Sequence, residues 1–196
     1  MFVKECNSDC INIVEELIEK SLSWFHAYYA YTCIKIGKCK AVVCGDGDIV
    51  KGVGVFYIVD TKPISIGIIY YVAVEQRFRG QGIGKIIVAS IEELMDIYGA
   101  KLYIATTRLD NIPSRRMLED LNYKEIILDS INEKLRDAIE KLTCAYEDDV
   151  LYVKSSKNYQ SFSIETILSN KINYRIINDI WNILCYRPWI KLRQRG

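Results

Sequence analysis

Glycines and cations are concentrated in one short segment, RFRGQGIGK (77–85). Three glycines alternate with other residues in it, two arginines precede them and a lysine follows. An apolar run, ISIGIIYYVAV (64–74), lies before the segment, and a pattern of helical periodicity (86–99) lies after it. Glycine lets a backbone approach an anion closely, and the first amides of a helix attract negative charge. The sequence therefore predicts a phosphate-binding loop between a strand and a helix.

The spacing excludes two common phosphate-binding motifs. A Walker A loop, GxxxxGK[ST], ending at Gly84 would have Arg79 as its first glycine, and Ile86 stands where the hydroxyl for Mg²⁺ belongs. A Rossmann fingerprint, GxGxxG, is broken at Lys85. Neither a nucleoside triphosphate nor a dinucleotide is indicated.

A third pattern, R-x-x-G-x-G, fits Arg77, Gly80 and Gly82. It resembles the signature loop of the GNAT acetyltransferase superfamily. The surrounding YYVAVEQRFRGQGIGKIIVASIEEL resembles that family's central strand, loop and helix. The later DNIPSRRMLEDLNYKEI resembles its N-x-x-A-x-x-x-Y-x-x-x-G-F segment. The resemblance covers residues 5–154 in element order and is specific over 66–123.

The resemblance implies that acetyl-CoA is bound. Main-chain groups of the central strand would pair with the pantetheine arm, and loop amides would bind the pyrophosphate. Arg115 or Arg116 would approach the 3′-phosphate, or be simply solvated. The predicted acetyl-CoA residues are Val72, Ala73, Val74, Arg79, Gly80, Gln81, Gly82, Ile83, Gly84, Lys85, Asn111 and Ser114.

The implied reaction is transfer of an acetyl group to a primary amine, which attacks the thioester directly in a ternary complex. The family's usual proton donor is a tyrosine on the later helix, but Leu118 stands there. Tyr70 is the candidate catalytic residue instead, and strand alternation predicts that Tyr70 and Tyr71 face opposite sides. Glu75 is interpreted as a loop or surface residue. The missing tyrosine leaves a second hypothesis, a catalytically silent acyl-CoA-binding or regulatory module.

The acceptor, a small-molecule or protein amine, is not readable from the sequence. In the family it is bound by the first two helices and a later loop region, here 8–37 and 130–147. The first region carries an aromatic group that lines either a pocket or, by default, the core, and His26 is expected to be a packed side chain. The aromatic residues are Trp24, Phe25, Tyr28, Tyr29 and Tyr31.

Periodicity predicts an α/β (α+β) fold: a mixed, mostly antiparallel central sheet flanked by helices on both faces, with a C-terminal helical extension. The predicted helices are 7–22, 23–37, 83–98, 111–123, 132–146 and 172–186, and the predicted strands are 40–47, 49–63, 64–74, 101–107, 123–130 and 148–154. We expect an acyl-CoA-binding domain over 1–154 and the extension over 155–196. The predicted helix 172–186 has apolar residues along one face. This face would pack on its own domain, across the expected acyl-CoA cleft or against a second copy in a homodimer.

Composition narrows the function classes. The 196 residues have a net charge of +1, and 26 % of them are charged, so the protein has no overall positive field that would attract nucleic acid. Four cations near the C-terminus are too few to indicate a nucleic-acid-binding tail: Arg187, Lys191, Arg193 and Arg195. No apolar run is long enough to span a membrane, so a cytoplasmic location is expected. The residue usage is typical of a thermophile.

The sequence has seven cysteines and one histidine, but their spacing matches no metal-ligand motif, so no metal site is predicted. We expect buried, inert thiols in a reducing cytosol, with a Cys39–Cys44 bridge as the alternative.

Overall fold

A computed structural model describes residues 1–6, 8–157, 159 and 163–194. The elements in chain order are β1 (Phe2–Cys6), α1 (Ile11–Ser21), α2 (Trp24–Lys35), β2 (Lys40–Asp46), β3 (Ile49–Asp60), β4 (Ser65–Val74), α3 (Ile83–Ile97), β5 (Ala100–Thr107), α4 (Ile112–Asp120), β6 (Lys124–Ile127), α5 (Glu133–Thr143), β7 (Val150–Ser155), α6 (Ile164–Leu168), α7 (Lys171–Trp181) and α8 (Arg187–Arg193). Short 3₁₀ turns lie at Ser8–Cys10, Gln76–Phe78 and Leu128–Ser130, and a π-helical segment at Asn182–Tyr186.

The seven strands form one sheet in the order β1-β2-β3-β4-β5-β7-β6. The pairs β1/β2, β2/β3, β5/β7 and β6/β7 are antiparallel. The predicted α/β class with a mostly antiparallel sheet is confirmed. Strand β1 was not predicted, because it is a short strand at the edge of the sheet with mostly exposed side chains, and backbone pairing to β2 needs no apolar pattern.

The chain's internal contacts divide it into two units, Met1–Tyr57 with Ile69–Met95, and Ile58–Ile68 with Asp96–Gly196. In the first unit, α3 packs closely on β3 because glycines leave room for it. A Cβ at Gly54 would lie 2.5 Å from Cγ2 of Ile87 and 2.6 Å from Cδ1 of Ile91. Both isoleucines are fully buried, so α3 is tightly packed against β3 at this face.

In the second unit, the C-terminal extension packs on its own chain through α5. The Nζ of Lys141 donates to Asp137 Oδ2 at 2.8 Å and to the Tyr174 hydroxyl at 3.2 Å, and that hydroxyl donates to the same carboxylate at 3.1 Å. A disulfide between Cys144 and Cys185 adds a covalent link. The domain boundary expected at residue 154 stays a prediction.

The cysteine predictions were wrong. The structure forms Cys6–Cys10, Cys33–Cys39 and Cys144–Cys185, and Cys44 is the cysteine left unbridged within the described residues. Cys39 pairs with Cys33 because the chain turns back after α2 and brings their Cα atoms to 5.2 Å. Cys44 lies five residues along an extended segment, roughly 16 Å from Cys39 at the rise of a strand, which is beyond disulfide reach.

Two predicted features include residues outside those described. The helix predicted over 7–22 begins at Asn7, and the tail cations include Arg195. The described segments contain no helix long and apolar enough to cross a membrane. They also contain no group of three or more metal-binding side chains.

Candidate functional site

The predicted phosphate loop joins β4 to α3 in an unusual backbone conformation. Gly80 has φ +76° and Gly82 has φ +79°, a region that side-chain-bearing residues rarely adopt. A Cβ built at either position would meet no protein atom within 4 Å. The glycines therefore serve the backbone turn and leave open space beside it, which is what a bound diphosphate requires.

The first turn of α3 presents main-chain donors to this loop. The amide of Ile86 donates to the carbonyl of Gly82 at 3.1 Å and begins the helical ladder. The amides of Ile83 and Gly84 precede that bond, and Gly82, at the N-cap position, has no side chain to satisfy them. This end of α3 carries the positive end of the helix dipole and matches an anionic group.

The two arginines of the loop are held by the protein itself. Arg77 Nε lies 2.7 Å from Glu75 Oε1, and its Nη2 donates to Oε2 at 3.1 Å. Arg79 donates from Nε to the Val74 carbonyl at 3.1 Å and from Nη2 to the Ser21 carbonyl at 3.3 Å. Arg79 thus ties the loop to the ends of β4 and α1, and Glu75 has the loop role that the sequence suggested.

The tyrosines of β4 depart from the predicted alternation. The ring centroids of Tyr70 and Tyr71 are 4.1 Å apart with a 31° interplanar angle. Side chains on opposite faces of a strand cannot meet in this way, so the prediction that they point apart was wrong and β4 is irregular here. The ring of Tyr57 packs edge-on against Tyr70 at 5.4 Å.

The Tyr70 hydroxyl oxygen is shielded from solvent and has no hydrogen bond of acceptable geometry. Burial raises the pKa of Tyr70 well above its ordinary value, and the neighbouring Tyr71 adds to the rise. The phenol stays protonated at neutral pH, so Tyr70 is suited to donate a hydrogen bond and not to act as a base.

The later segment that resembles the family pattern forms a helix, α4, with a side-chain cap. Oδ1 of Asn111 accepts from the Ser114 amide at 3.4 Å, and Nδ2 donates to Thr107 Oγ1 at 3.1 Å. At the other end, Asn122 has φ +65°, as expected for the residue that closes the helix. Leu118, at the position of the family's tyrosine, is only 3 % exposed. It packs in the interior and offers no proton.

The two arginines of α4 differ in their surroundings. Arg115 Nη2 donates to Glu125 Oε2 at 2.9 Å, Nε lies 3.4 Å from the Tyr152 hydroxyl, and Nη1 donates to the Leu109 carbonyl at 3.1 Å. Tyr152 and then Arg115 lower the pKa of Glu125, while burial and Glu125 raise the pKa of Tyr152 to about 12. Arg115 is thus a structural residue.

Arg116 is exposed and makes no bond or ion pair with any other described residue. Of the two arginines, it is the one available to a phosphate.

One neighbour of β4 was missed by sequence reasoning. The imidazole of His26, on α2, lies edge-on to the Tyr71 ring at 5.5 Å, and its Nδ1 is 2.6 Å from Ser23 Oγ. The adjacent Trp24 and Phe25 are 61 % and 41 % exposed, so this part of the aromatic group is surface and not core. Spacing within α2 contains no signal for the contact with β4, because it depends on how the helix packs.

The model of the acetyltransferase (GNAT) family matches residues 11–123. The chain belongs to the GNAT acetyltransferase family. Members of this family use acetyl-CoA, in agreement with the open, amide-lined loop. A search of curated proteins gives no significant match.

Three solved acetyltransferase structures illustrate the fold. A GNAT N-acetyltransferase from Escherichia coli in complex with CoA has a TM-score of 0.58 and 14 % identity, covering 79 % of this chain and 80 % of that one. A GNAT acetyltransferase from Staphylococcus aureus has a TM-score of 0.59 and 10 % identity, and the match covers 79 % of this chain and 98 % of that one. An IAA acetyltransferase from Bacillus cereus ATCC 14579 has a TM-score of 0.56 and 16 % identity, and the match covers 79 % of this chain and 99 % of that one. At these identities the likeness concerns the fold alone.

Proposed function

We propose that this protein is an N-acetyltransferase that transfers the acetyl group of acetyl-CoA to a primary amine by direct attack in a ternary complex. The observation that carries the proposal is the β4–α3 loop, where two glycines with positive φ leave space beside the first amides of α3. Family membership supplies the reaction class, and the loop supplies a site for its donor. The acceptor is a small-molecule or protein amine.

For the acyl donor, the pyrophosphate would lie against the amides of residues 79–84, with Lys85 following as the next cation. Main-chain groups of Val72, Ala73 and Val74 would pair with the pantetheine arm. Asn111 and Ser114 are proposed to contact the arm as well, although both already take part in the cap of α4. Arg116 is the proposed partner of the 3′-phosphate, since Arg115 is engaged elsewhere.

Tyr70 is proposed to stabilise the departing thiolate by hydrogen bonding. Its raised pKa lies above the ordinary pKa of a thiol, about 8.5, so the phenol would share its proton with the thiolate and not transfer it completely. A buried donor without a well-formed internal partner is available for that role.

The buried Leu118 favours a second candidate function. Without the tyrosine of the usual pattern, the fold could hold acyl-CoA and perform no transfer, acting as a binding or regulatory module. The two functions make different demands on the same site: both need CoA affinity, but only the enzyme needs turnover.

The deciding experiment measures CoA binding by calorimetry and thiol release from acetyl-CoA against a panel of amines and peptides. The enzyme hypothesis expects binding together with acceptor-dependent thiol release. Binding without release over the whole panel would establish the silent module. Absence of CoA binding would contradict both.

The role of Tyr70 is tested by Tyr70→Phe, with Tyr57→Phe as the matched control from the same aromatic cluster. We expect kcat to fall about 10-fold or more for Tyr70→Phe with unchanged CoA affinity, because one charge-stabilising hydrogen bond is lost. Tyr57→Phe should leave kcat within about twofold. Equal kcat in both variants would remove Tyr70 from the mechanism.

We further propose a cytoplasmic location in a thermophilic organism. Three disulfides are unusual in the cytosol of mesophiles, but intracellular proteins of hyperthermophiles are rich in them. Titration of thiols in the denatured, unreduced protein should find one thiol, that of Cys44, and seven after reduction. Seven thiols before reduction would contradict the bridged state.

A homodimer through the extension is the remaining proposal. It would require a surface other than the one by which α7 contacts α5, and a sedimentation mass of one chain would exclude it.

A further inference from the structure

An exposed apolar patch lies where α1 joins α2 and consists of the side chains of Leu22, Trp24 and Phe25. These side chains are 46 %, 61 % and 41 % exposed. Single exposed apolar side chains are ordinary on a protein surface, but three within four residues form a patch of the kind that marks a binding surface. An apolar ligand that covered the patch would be bound favourably, because both would leave water.

The apolar patch is adjacent to the proposed acyl-CoA site. Nη2 of Arg79, in the phosphate loop, donates to the carbonyl of Ser21, the last residue of α1, at 3.3 Å. Leu22 is the next residue and begins the patch. After the patch, the ring of His26 meets that of Tyr71 on β4 at 5.5 Å. The patch therefore lies in the chain between a contact with the phosphate loop and a contact with β4, which are the two elements proposed to bind acyl-CoA.

The two rings of the apolar patch are suited to an aromatic ligand. The ring centroids of Trp24 and Phe25 are 5.8 Å apart with an interplanar angle of 88°, and Phe25 also packs against the buried Tyr29 at 4.8 Å. Aromatic rings attract one another in edge-to-face and offset arrangements beyond the gain from burial alone. Because both rings of the patch are still exposed, a third ring can add to this group.

Charge narrows the ligand further. Residues 21–34 include no aspartate, glutamate, lysine or arginine. The charged side chains that flank the patch form ion pairs within the protein, Lys20 with Glu16 and Arg77 with Glu75. A second ammonium or a carboxylate on the ligand would lose water at the patch without gaining a partner of opposite charge, which is unfavourable. The ligand that fits therefore has no charge other than that of its reacting amine.

We propose that the apolar patch binds the body of the acceptor and selects a primary amine joined by a short chain to an aromatic ring; the inference rests on the proposed acetyltransferase function. The same group occurs in arylalkylamines and at the N-terminus of a peptide that begins with an aromatic residue. The ammonium loses one proton to solvent, and its nitrogen bonds to the thioester carbonyl carbon. The carbon–sulfur bond breaks, and a second proton passes from the nitrogen to the thiolate. The products are one amide, one thiol and one proton.

The first test measures thiol release from acetyl-CoA with two pairs of amines. The value of kcat/KM for phenethylamine should exceed that for 1,4-diaminobutane, which has a second ammonium and no ring, by about 10-fold or more. Phenylalaninamide should exceed phenylalanine, which adds a carboxylate, by a similar factor. Equal values within either pair would overturn the proposal. A peptide that begins with phenylalanine, assayed beside phenethylamine, distinguishes the two sources of the group.

The second test removes the larger ring of the patch. In Trp24→Ala, KM for phenethylamine should rise about 10-fold while kcat stays within about twofold, because the patch contacts the body of the acceptor and not the reacting atoms. Ethylamine, which has no ring, should be affected less than about twofold, and Trp24→Phe should restore most of the affinity for phenethylamine.

Ile36→Ala is the matched control, because it removes another exposed apolar side chain at the opposite end of α2. It should leave KM for phenethylamine at the wild-type value. A rise of equal size for ethylamine and phenethylamine in Trp24→Ala would assign Trp24 a purely structural role and overturn the proposal, as would an unchanged KM for phenethylamine.

The third test does not depend on turnover. Saturation-transfer NMR of phenethylamine in the presence of CoA should show its ring protons in contact with the wild-type protein and should give a weaker signal with Trp24→Ala. Equal signals from the two proteins would overturn the proposal. If the wild type releases thiol only with amines that lack an aromatic ring, this inference alone falls. If the wild type binds CoA and releases no thiol with any amine, the proposed function falls and this inference with it.

Discussion

Two helix N-termini in this protein, those of α3 and α4, are completed in different ways. At α4, Asn111 accepts the Ser114 amide and bonds to Thr107 on the preceding strand, so the protein satisfies its own donors. At α3, the N-cap position is Gly82, which has no side chain, and the adjacent backbone is held at positive φ beside open space. Helices α2, α5 and α7 resemble α4, with Ser23, Asn132 and Asn170 as caps.

The difference agrees with the proposal that the α4 end is structural and that the α3 end binds an anion. A side-chain cap contributes about 1 kcal/mol to stability by pairing amides that would otherwise be unsatisfied. A glycine at that position provides no side-chain acceptor, so this stabilisation is absent and the amides can bind an external anion. The residues around the loop agree with this interpretation, since Arg79 uses its guanidinium to hold the loop to carbonyls of Val74 and Ser21.

The largest effect is expected when α3 is given a cap of its own. Gly82→Asp would place a carboxylate over the first amides and repel the diphosphate. We expect CoA affinity to fall at least 100-fold, or about 2.7 kcal/mol, measured by calorimetry.

Gly47→Asp is the matched control, because Gly47 also has positive φ and open space at its Cβ but lies in the β2–β3 turn. It should share the conformational strain and leave CoA affinity unchanged. If both variants bound CoA like the wild type, the α3 end would not be the anion site and the contrast with α4 would have no functional meaning.

An intermediate effect is expected when α4 loses its cap. Asn111→Ala should lower the free energy of unfolding by about 1 kcal/mol in urea, since the Ser114 amide loses its acceptor. Asn132→Ala removes the corresponding cap of α5, where Oδ1 accepts from the Leu135 amide at 2.9 Å, and should cost a similar amount.

CoA affinity distinguishes these two cap variants. It should fall a few-fold in Asn111→Ala, whose amide is proposed to contact the pantetheine arm, and stay unchanged in Asn132→Ala. Equal affinities would mean that the α4 end is structural only.

The smallest effect is expected at the exposed arginine of α4. Arg116→Ala should weaken CoA about threefold and leave dephospho-CoA, which lacks the 3′-phosphate, unaffected, because an exposed ion pair contributes less than about 1 kcal/mol. Calorimetry with both ligands measures the difference. An identical loss for the two ligands would exclude a contact between Arg116 and the 3′-phosphate.

Much of the fold was accessible from the sequence because its signals are local. The periodicity of 83–98 predicted α3, observed at Ile83–Ile97, within one residue. The helix predicted over 111–123 is observed as α4 at Ile112–Asp120, with Asn111 as its N-cap. Strand β1 and α8 were missed, since an exposed edge strand and a short terminal helix carry no strong apolar pattern.

The parts of the site that were missed depend on packing between distant residues. The sequence left Arg115 and Arg116 equivalent, and only the approach of Glu125 and Tyr152 engaged one of them. Alternation placed Tyr70 and Tyr71 on opposite faces, but an irregular β4 brings their rings together.

By itself the sequence predicted the glycine turn between β4 and α3 and, through family resemblance, the cofactor acetyl-CoA, because a glycine at positive φ and a helix start are properties of a few adjacent residues. The tertiary structure decided which cysteines pair, which arginine remains available and which side chain approaches β4 from α2. These outcomes depend on distances between residues far apart in the chain, and such distances are set by strand register and helix packing, which leave no local pattern. His26 illustrates the limit: no pattern in α2 indicates that its imidazole contacts the ring of Tyr71 on β4.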